Sequence, residues 1–290
     1  MTANRRLPQL LLPRGKGIVR AISLFLLGYL SDTVAWTVFP ASPFQARKWN
    51  LHRYDVADSL RCVNEKWSKI RLQRLLRSMV ITEIFKSIQG ESSFAGLPCV
   101  FVRLTGCNLR CHWCDTAYAF HGGQKMTPGQ VLERVRALGG KLVELTGGEP
   151  LMQKEIIALA DSLLAEGYRV LIETSGERYV GDLAREVVKI VDVKCPGSGE
   201  SGRFNLANLD VLERKDQVKF VVLDEKDYLY ARDFMETHGI AGRVDEILLS
   251  PVFGKMPPRQ LAEWILRDNL EVRVGLQIHK FIWDPETRGV

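Results

Sequence analysis

The sequence predicts an α/β fold in which a mostly parallel sheet curls into part of a barrel. From residue 79 onward, short apolar segments alternate with helical patterns. Such alternation is typical of parallel strands joined by crossover helices. Six or seven such strands are enough to form part of a barrel, and ligands then collect at the carboxyl ends of the strands.

Each element follows from a local pattern. Strands are predicted at 80–85, 98–104, 141–146, 168–173, 187–193, 217–223, 245–250 and 271–279. Helices are predicted at 127–138, 151–165, 224–238 and 257–268, with shorter pieces near 181–186 and 204–213. The first helix has the clearest start, with Thr127 as N-cap, Pro128 at N1 and Gln130 at N3. The Gly- and Ser-rich segment 197–202 is a candidate lid.

Three cysteines lie in a C-x3-C-x2-C spacing: Cys107, Cys111 and Cys114. Thiolates are the usual ligands of iron–sulfur clusters, which take four of them. Three ligands would leave one iron of a [4Fe–4S] cluster open to a cofactor or substrate. The spacing alone leaves two alternatives: a zinc site completed by His112 or Cys195, or a set of buried thiols.

A second motif narrows the choice. Residues 145–150, with the sequence LTGGEP, follow an apolar run that begins at Lys141 and precede a helical pattern. Paired glycines at the end of a strand let the backbone approach a ligand closely. The cysteine loop followed by this strand resembles the radical S-adenosylmethionine superfamily. In that superfamily the open iron binds the amino and carboxylate groups of the cofactor's methionine, and GGEP holds the amino group.

Charge divides the chain at residue 78. Of 40 basic and 34 acidic residues, 1–78 hold 14 and 4, a net charge of +10, which leaves 26 and 30, a net charge of −4. The basic character therefore belongs to the leading segment, and 79–290 have no case for a nucleic-acid-binding face. The six cysteines do not resemble a secreted disulfide framework, which favours the cytoplasm.

Residues 1–78 are interpreted as a basic extension outside the fold. Their longest apolar run, 22–30, is too short to span a bilayer. The preferred interpretation is that translation begins at Met79. A membrane-surface or partner-binding arm and a secretory signal remain as alternatives.

Several further segments resemble the 7-carboxy-7-deazaguanine synthases, over essentially all of 79–290 and none of 1–78. The matching segments are EIF at 83–85, IQGE at 88–91, FVR at 101–103, CDT at 114–116, ETSG at 173–176, DVKCP at 192–196, QIHK at 277–280 and TRGV at 287–290. The resemblance implies an incomplete, modified (β/α) barrel with the cluster and ligands at the carboxyl ends of the parallel strands.

The resemblance also implies the reaction. Members of this family convert 6-carboxy-5,6,7,8-tetrahydropterin to 7-carboxy-7-deazaguanine with loss of ammonia, on the route to queuosine. They use a [4Fe–4S] cluster, S-adenosylmethionine and Mg²⁺. A radical from the cofactor takes a hydrogen from the substrate and later returns it. The family further implies a cytoplasmic homodimer and an electron donor such as flavodoxin, with no nucleic-acid or membrane partner for 79–290.

Site roles carry over motif by motif. Cys107, Cys111 and Cys114 would bind the cluster, and the hydroxyl of Thr116 would bind Mg²⁺, which prefers oxygen ligands. The implied cofactor-binding set is Trp113, Cys114, Asp115, Gly148, Ser175, Asp192, Val193, Lys194, Ser250, Pro251, Val252 and Phe253. The implied substrate-binding set is Ile88, Gln89, Gly90, Arg103, Thr146 and the carboxylate of Val290. No side chain is predicted to act as an acid, base or nucleophile.

Structural alternatives stand beside these roles. Arg103 suits a substrate carboxylate because a guanidinium binds it bidentately, but it would also suit an acid at the end of the sheet. Thr116 could cap a turn, and Lys194 could be a solvated strand end. Cys195 is expected to be a plain thiol, and His279 could be structural.

Two other functions are compatible with parts of the sequence. A glycyl-radical-enzyme activase would share the cluster and GGEP motifs, but such proteins usually have additional cluster cysteines. A non-catalytic zinc-binding module would share only the cysteine spacing. Metal analysis separates the zinc module from the cluster enzymes, since one zinc or about four irons would be found per chain.

The extension hypothesis makes a direct prediction. A chain of residues 79–290 has 212 residues, which is long enough to bury a core of its own. It should therefore be soluble, take up its cluster and turn over as well as the full chain, as measured by iron content and product formation. An insoluble or inactive shortened chain, or native peptides from before Met79, would contradict it.

Overall fold

The fold is built on one nine-stranded sheet, seen in a computed structural model that describes residues 77–290. The strands are β1 (Met79–Ile88), β2 (Pro98–Leu104), β3 (Gln124–Met126), β4 (Leu142–Gly147), β5 (Arg169–Thr174), β6 (Val188–Asp192), β7 (Gln217–Val222), β8 (Glu246–Pro251) and β9 (Arg273–Val274). The helices are α1 (Pro128–Leu138), α2 (Glu155–Ala165), α3 (Glu225–His238), α4 (Pro258–Arg267) and α5 (His279–Ile282).

The strand order is β3-β1-β2-β4-β5-β6-β7-β8-β9. The first two pairings are antiparallel, and all pairings from β2 to β9 are parallel. β3 and β9 lie at the two edges, so the sheet curls without closing. The predicted incomplete barrel is confirmed.

The core lies between the sheet and the helices. Strands β4, β5 and β6 are almost wholly buried, as expected for parallel strands covered on both faces. A smaller apolar cluster on the inner side of the sheet includes Phe94, Cys99, Leu142 and Leu171. It closes the barrel interior below the carboxyl ends of the strands.

Helix α1 begins as predicted. The Thr127 side chain accepts a hydrogen bond from the backbone of Gln130, and the Gln130 side chain accepts one from the backbone of Thr127. This reciprocal capping satisfies two amides that have no partner within the helix. Gly139 ends the helix with a positive φ of 67°, which glycine adopts without steric cost.

Three predicted elements differ from the structure, and one strand was not predicted. The helix predicted at 151–165 begins only at Glu155, after a 3₁₀ turn at Pro150–Met152. Segment 181–186 forms isolated turns, since a piece this short gains too few bonds to nucleate a helix. Only Leu206–Asp210 of 204–213 is helical, as a 3₁₀ helix. The three-residue edge strand β3 was not predicted, because its polar residues carry no apolar alternation.

The last predicted strand, 271–279, is also much shorter in the structure. Only Arg273–Val274 pairs with β8, and the chain then turns into α5. The backbone at Gly275 passes close to Ser250, whose Oγ would lie 2.4 Å from a Cβ at position 275. Beyond this contact, residues 277–290 lie at the carboxyl ends of the strands.

The predictions for residues 1–76 lie outside the described residues. Among the helices of 77–290, none has the length and apolar character that crossing a membrane requires.

One buried amide supports the loop after β5. The Asn208 side chain donates to the carbonyls of Gly176 and Arg178 at 2.8 and 3.0 Å and accepts from the amide of Val180 at 3.0 Å. Asn208 is fully buried, so the carbonyl of Arg178 and the amide of Val180 would lack a partner without it, whereas the carbonyl of Gly176 also accepts from the amide of Asn205.

Replacing this amide should therefore be costly. Asn208→Leu keeps the volume but leaves two backbone groups unpaired, and we expect a loss of about 2 kcal/mol or more in the free energy of unfolding. Chemical denaturation would measure it. Asn205→Ala is the matched control, since it removes one exposed cap and should cost about 1 kcal/mol. Equal losses would contradict the role of Asn208.

Candidate active site

A cavity of about 650 Å³ opens at the carboxyl ends of the parallel strands. Its walls come from the ends of β1, β2 and β4–β8, from the cysteine loop and from residues 277–290. The predicted site residues that line it are Ile88, Gln89, Gly90, Arg103, Cys107, Cys111, Trp113, Cys114, Asp115, Thr116, Thr146, Gly148, Ser175, Asp192, Lys194, Ser250, Pro251, Val252, Phe253 and Val290. The structure therefore brings almost the whole predicted set to one place.

Val193 is the exception. Its side chain is fully buried in the hydrophobic core, and its amide donates to the carbonyl of Lys219 at 2.8 Å. Side chains alternate between the two faces along an extended segment, so Asp192 and Lys194 face the cavity and Val193 faces away.

The cysteine loop is fixed by backbone contacts. The amide of Leu109 donates to Cys107 Sγ at 3.4 Å, and the amide of Cys114 donates to the carbonyl of Cys111 at 3.1 Å. Segment 197–202, the predicted lid, contacts this loop. Ser198 accepts from the amide of His112 at 3.0 Å, and Glu200 accepts from that of Arg110 at 2.6 Å.

The three thiols fit a cluster. All three line the cavity and are half-buried, and none is in a disulfide. Burial raises the pKa of Cys107 and of Cys111, so both are neutral thiols until a metal displaces their protons. Cys107, Cys111 and Cys114 would hold a [4Fe–4S] cluster at this end of the cavity.

The candidate zinc ligands are engaged elsewhere. His112 Nδ1 lies 3.1 Å from the carbonyl oxygen of Gly197. Cys195 is 1% exposed and packs in the core, where burial raises the pKa of its thiol. Cys195 is thus placed as a plain buried thiol.

The GGEP loop packs directly against the cysteine loop. A Cβ at Gly148 would lie 2.3 Å from the carbonyl oxygen of Gly106 and 2.7 Å from Cys107 Cβ, so only glycine fits. Glu149 is fully buried and does not line the cavity. Its carboxylate accepts from the amide of Leu151, from Thr174 Oγ1 and from both the amide and hydroxyl of Ser175.

Asp192 and Lys194 form an ion pair on the cavity wall. Lys194 Nζ lies 2.7 Å from Asp192 Oδ2. Burial disfavours the charged lysine, but the negative charge of Asp192 outweighs it and holds the pKa of Lys194 above its ordinary value. Lys194 is therefore paired, not a solvated strand end. Asp192 Oδ1 is buried and has no hydrogen-bond partner within 77–290.

A second set of ionisable residues lies deeper in the cavity and forms its floor. Lys219 on β7 pairs with Glu91 and, at 2.7 Å, with Glu173 at the end of β5. Glu144 on β4 accepts a hydrogen bond from Gln89 Nε2 at 2.9 Å. All but Gln89 were missed as site residues.

These charges shift one another's ionisation. Burial disfavours the charge on Lys219, yet the surrounding Glu173, Glu91 and Asp192 hold its pKa well above its ordinary value. Burial also opposes ionisation of Glu91, but Lys219 outweighs it, so the pKa of Glu91 is lowered. Burial and the charge of Glu173 raise the pKa of Glu144 to about 8. Burial likewise raises the pKa of Glu173, although the charge of Lys219 opposes the shift. At neutral pH the floor thus holds a charged lysine, and Glu144, which has no cation paired with it, keeps its proton.

Residues 277–280 close the cavity over the cysteine loop. Lys280 Nζ donates to Asp115 Oδ2 at 2.7 Å, and Gln277 Nε2 donates to Glu91 Oε1 at 2.9 Å. His279 packs on Gly90, where a Cβ would lie 2.0 Å from its Nδ1. Burial lowers the pKa of His279, so its ring is neutral at pH 7.

The predicted substrate and magnesium groups have partners within the protein. Arg103 Nε donates to Glu83 Oε1 at 2.7 Å, which also accepts from Tyr118. Thr116 Oγ1 donates to Asp115 Oδ1 at 2.9 Å and makes no capping bond to the turn that follows it. The oxygen of Thr116 keeps its lone pairs for a cation, and Arg103 keeps its terminal nitrogens on the cavity wall.

A sequence signal for the missed residues existed. Glu144, Glu173 and Lys219 are charged residues inside the apolar runs LVELTG, RVLIET and QVKFVV. A charge within a buried parallel strand requires a partner or a ligand. Tyr118, Gln277 and Lys280 carry no such signal, since none of them lies within a buried strand.

Comparison with known proteins bears on this site. The Radical SAM superfamily profile matches residues 101–194. A 7-carboxy-7-deazaguanine synthase from Koribacter versatilis is 52% identical over 226 residues, covering 73% of this chain and all of that protein. Its counterpart from Chlorobaculum tepidum is 46% identical over 213 residues, covering 72% and 96%. The crystal structure of QueE from Escherichia coli, 23% identical, has the same fold, with a TM-score of 0.60 and coverage of 71% and 97%.

The superfamily match includes both the cysteine loop and the GGEP strand, so this chain is a radical S-adenosylmethionine enzyme, the class that uses a [4Fe–4S] cluster and that cofactor. The sequence identity of its relatives and the share of each chain that they cover identify the family within this class. The chain belongs to the 7-carboxy-7-deazaguanine synthase family. The comparisons give no support to an activase or to a zinc-binding module.

The ligand assignment predicts the effect of removing single thiols. Cys107→Ala, Cys111→Ala or Cys114→Ala leaves two thiolates, which cannot hold four irons stably. Each variant should be colourless and unable to cleave the cofactor, as measured by iron content and methionine release. Cys99→Ala and Cys195→Ala are the controls and should keep both, since both thiols lie in the core. Full iron content in any of the first three would contradict the assignment.

Proposed function

We propose that this chain converts 6-carboxy-5,6,7,8-tetrahydropterin to 7-carboxy-7-deazaguanine with loss of ammonia, in queuosine biosynthesis. The observation that best supports this proposal is that one cavity has the three candidate cluster cysteines at one end and a polar, charged floor at the other. Relatives named for this reaction match the chain at up to 52% identity. The cluster with S-adenosylmethionine supplies the radical that starts the reaction; the protein binds, orients and excludes water.

The cofactor would lie between the cysteine loop and the ends of β4–β6. Gly148, which has no side chain, would let the amino acid part of the cofactor come close to the backbone of the cysteine loop. Asp192, whose Oδ2 pairs with Lys194, lines the cavity beside this position and would contribute to the same wall. Trp113, Ser175, Lys194 and the 250–253 segment complete the proposed set.

The substrate would occupy the floor. Phe85 and Phe101 stack with their ring centres 5.1 Å apart and form an apolar wall against a flat ring. Gln89 and Thr146 offer polar contacts beside them, and Arg103 offers a charge for the substrate carboxylate. Ile88, Gly90 and the carboxylate of Val290 belong to the same proposed set.

Magnesium binding, quaternary structure and electron supply complete the proposal. Thr116 Oγ1 would bind Mg²⁺ next to the substrate, because hard cations prefer oxygen. A homodimer in the cytoplasm that receives electrons from a donor such as flavodoxin accords with the family. The cluster loop carries exposed Arg110, to which an acidic donor would be attracted.

One experiment tests the function as a whole. The full chain, purified without oxygen and loaded with its cluster, is given S-adenosylmethionine, a reductant and the carboxy-tetrahydropterin. The proposal expects 7-carboxy-7-deazaguanine and ammonia in equal amounts, with faster turnover when Mg²⁺ is present. A cluster-loaded protein that cleaves the cofactor but leaves the pterin unchanged would overturn the substrate assignment.

The Arg103 assignment makes its own prediction. Arg103→Ala should weaken pterin binding by about 2–5 kcal/mol while cofactor binding stays nearly unchanged, because a buried charge pair would be broken. Binding titrations of both ligands would measure this. Arg273→Ala is the matched control: Arg273 also pairs with a glutamate on a neighbouring strand, but it lies away from the cavity. Normal pterin affinity in Arg103→Ala would place the carboxylate elsewhere.

A further inference from the structure

Glu144 has an ionisable side chain and lies at the bottom of the cavity. It lies in the middle of β4, opposite Phe101 on β2 and Leu171 on β5. It shares the inner face of the sheet with Thr146, and it lines the cavity although the residue is only 2% exposed. Beneath it is the apolar cluster of Leu142, Leu171 and their neighbours, so no water reaches it from below.

The contacts of this carboxyl account for only one of its oxygens. Oε2 accepts from Gln89 Nε2 at 2.9 Å. Oε1 makes no hydrogen bond to any residue in 77–290, and Glu144 lines the cavity. A carboxyl oxygen at such a site needs a partner, because an unpaired buried polar atom costs about 1–3 kcal/mol.

The surroundings decide the form in which Glu144 is present. From β5 it faces Glu173, from the loop after β1 Glu91, from β7 Lys219 and from β2 the thiol of Cys99. Lys219 is already paired with Glu91 and Glu173. A third carboxylate would have no cation left to it, and burial adds to this cost. Glu144 therefore keeps its proton at neutral pH, and Oε1 can carry an O–H group.

We propose that Glu144 is a substrate-binding residue whose free carboxyl oxygen, held in place by Gln89, donates a hydrogen bond to an acceptor atom of the pterin ring. The inference rests on the proposed function, since it takes the substrate to be a flat, nitrogen-rich ring with an attached carboxylate. Ring nitrogens and the ring carbonyl of such a substrate accept hydrogen bonds. A neutral acid meets them without adding negative charge beside an anionic substrate.

The consequence is a pH dependence of substrate binding. The bound state requires the protonated carboxyl, and ionisation both removes the donor and adds charge. Affinity should be constant below about pH 7.5 and fall about tenfold per pH unit well above the pKa of about 8. The measurement is the equilibrium Kd of the carboxy-tetrahydropterin for the cluster- and cofactor-loaded full chain, without oxygen, from about pH 6.5 to 9.

Two variants separate the charge from the contact. Glu144→Gln keeps a donor that does not titrate, so its Kd at pH 7 should stay within about threefold of the parent and lose the alkaline rise. Glu144→Leu removes the donor and should bind at least about tenfold more weakly at pH 7. Glu263→Gln, the same change on exposed α4, should keep the parent profile. Iron content and thermal unfolding report whether each variant is folded and loaded.

The outcomes divide clearly. If Glu144→Gln keeps the alkaline loss of affinity, or if the parent Kd does not change with pH, the role of Glu144 is overturned and the proposed function stands. If the parent does not bind the pterin at any pH, the proposed function fails first. Should Glu144→Leu fail to load its cluster, the profile of Glu144→Gln still decides.

Discussion

The carboxylate of Glu149 holds the site together. Its two oxygens accept four hydrogen bonds, one from Leu151 after β4 and three from Thr174 and Ser175 at the end of β5. Its own amide donates to the carbonyl of Gly106 at 2.9 Å. One fully buried side chain thus joins the ends of two strands to the start of the cysteine loop. A carboxyl group can be buried this deeply because both of its oxygens have hydrogen-bond partners. In this chain the acid of the GGEP motif supports the structure from within, and the glycine before it is the residue that lines the cavity.

The charged residues of the cavity form two layers. Asp192 and Lys194 lie near the thiols, whereas Lys219 joins the glutamates of the floor. Both layers lie above the smaller apolar cluster that includes Leu142 and Leu171. This cluster excludes water from below, and electrostatic interactions between the charged residues are therefore strong. Parallel strands make this possible, because their carboxyl ends all meet at one rim and each contributes an inward side chain every second residue.

The features of the fold and the site that could be predicted are those that local patterns in the sequence determine. Alternation of strands and helices, the Thr127 cap and the C-x3-C-x2-C spacing are local, and they placed the sheet, α1 and the thiols correctly. The early end of β9 and the close packing of Gly275 on Ser250, 25 positions away, are long-range features that no local pattern records. Val193 was assigned to the cavity through its neighbours, although the alternation of an extended chain turns it into the core. The roles of Arg103 and Thr116 stay predictions, since both residues have protein partners and ligand-facing atoms.

The contact between Gly90 and His279 has a consequence for how the sequence can vary. No space separates the imidazole from the backbone at position 90, and the amide of Ile278 also donates to the carbonyl of Gly90 at 2.9 Å. Any side chain at position 90 must therefore be matched by a smaller one at position 279. The two positions are 189 residues apart in the chain but behave as one steric unit, so substitutions at them should appear in pairs across natural sequences and be deleterious singly.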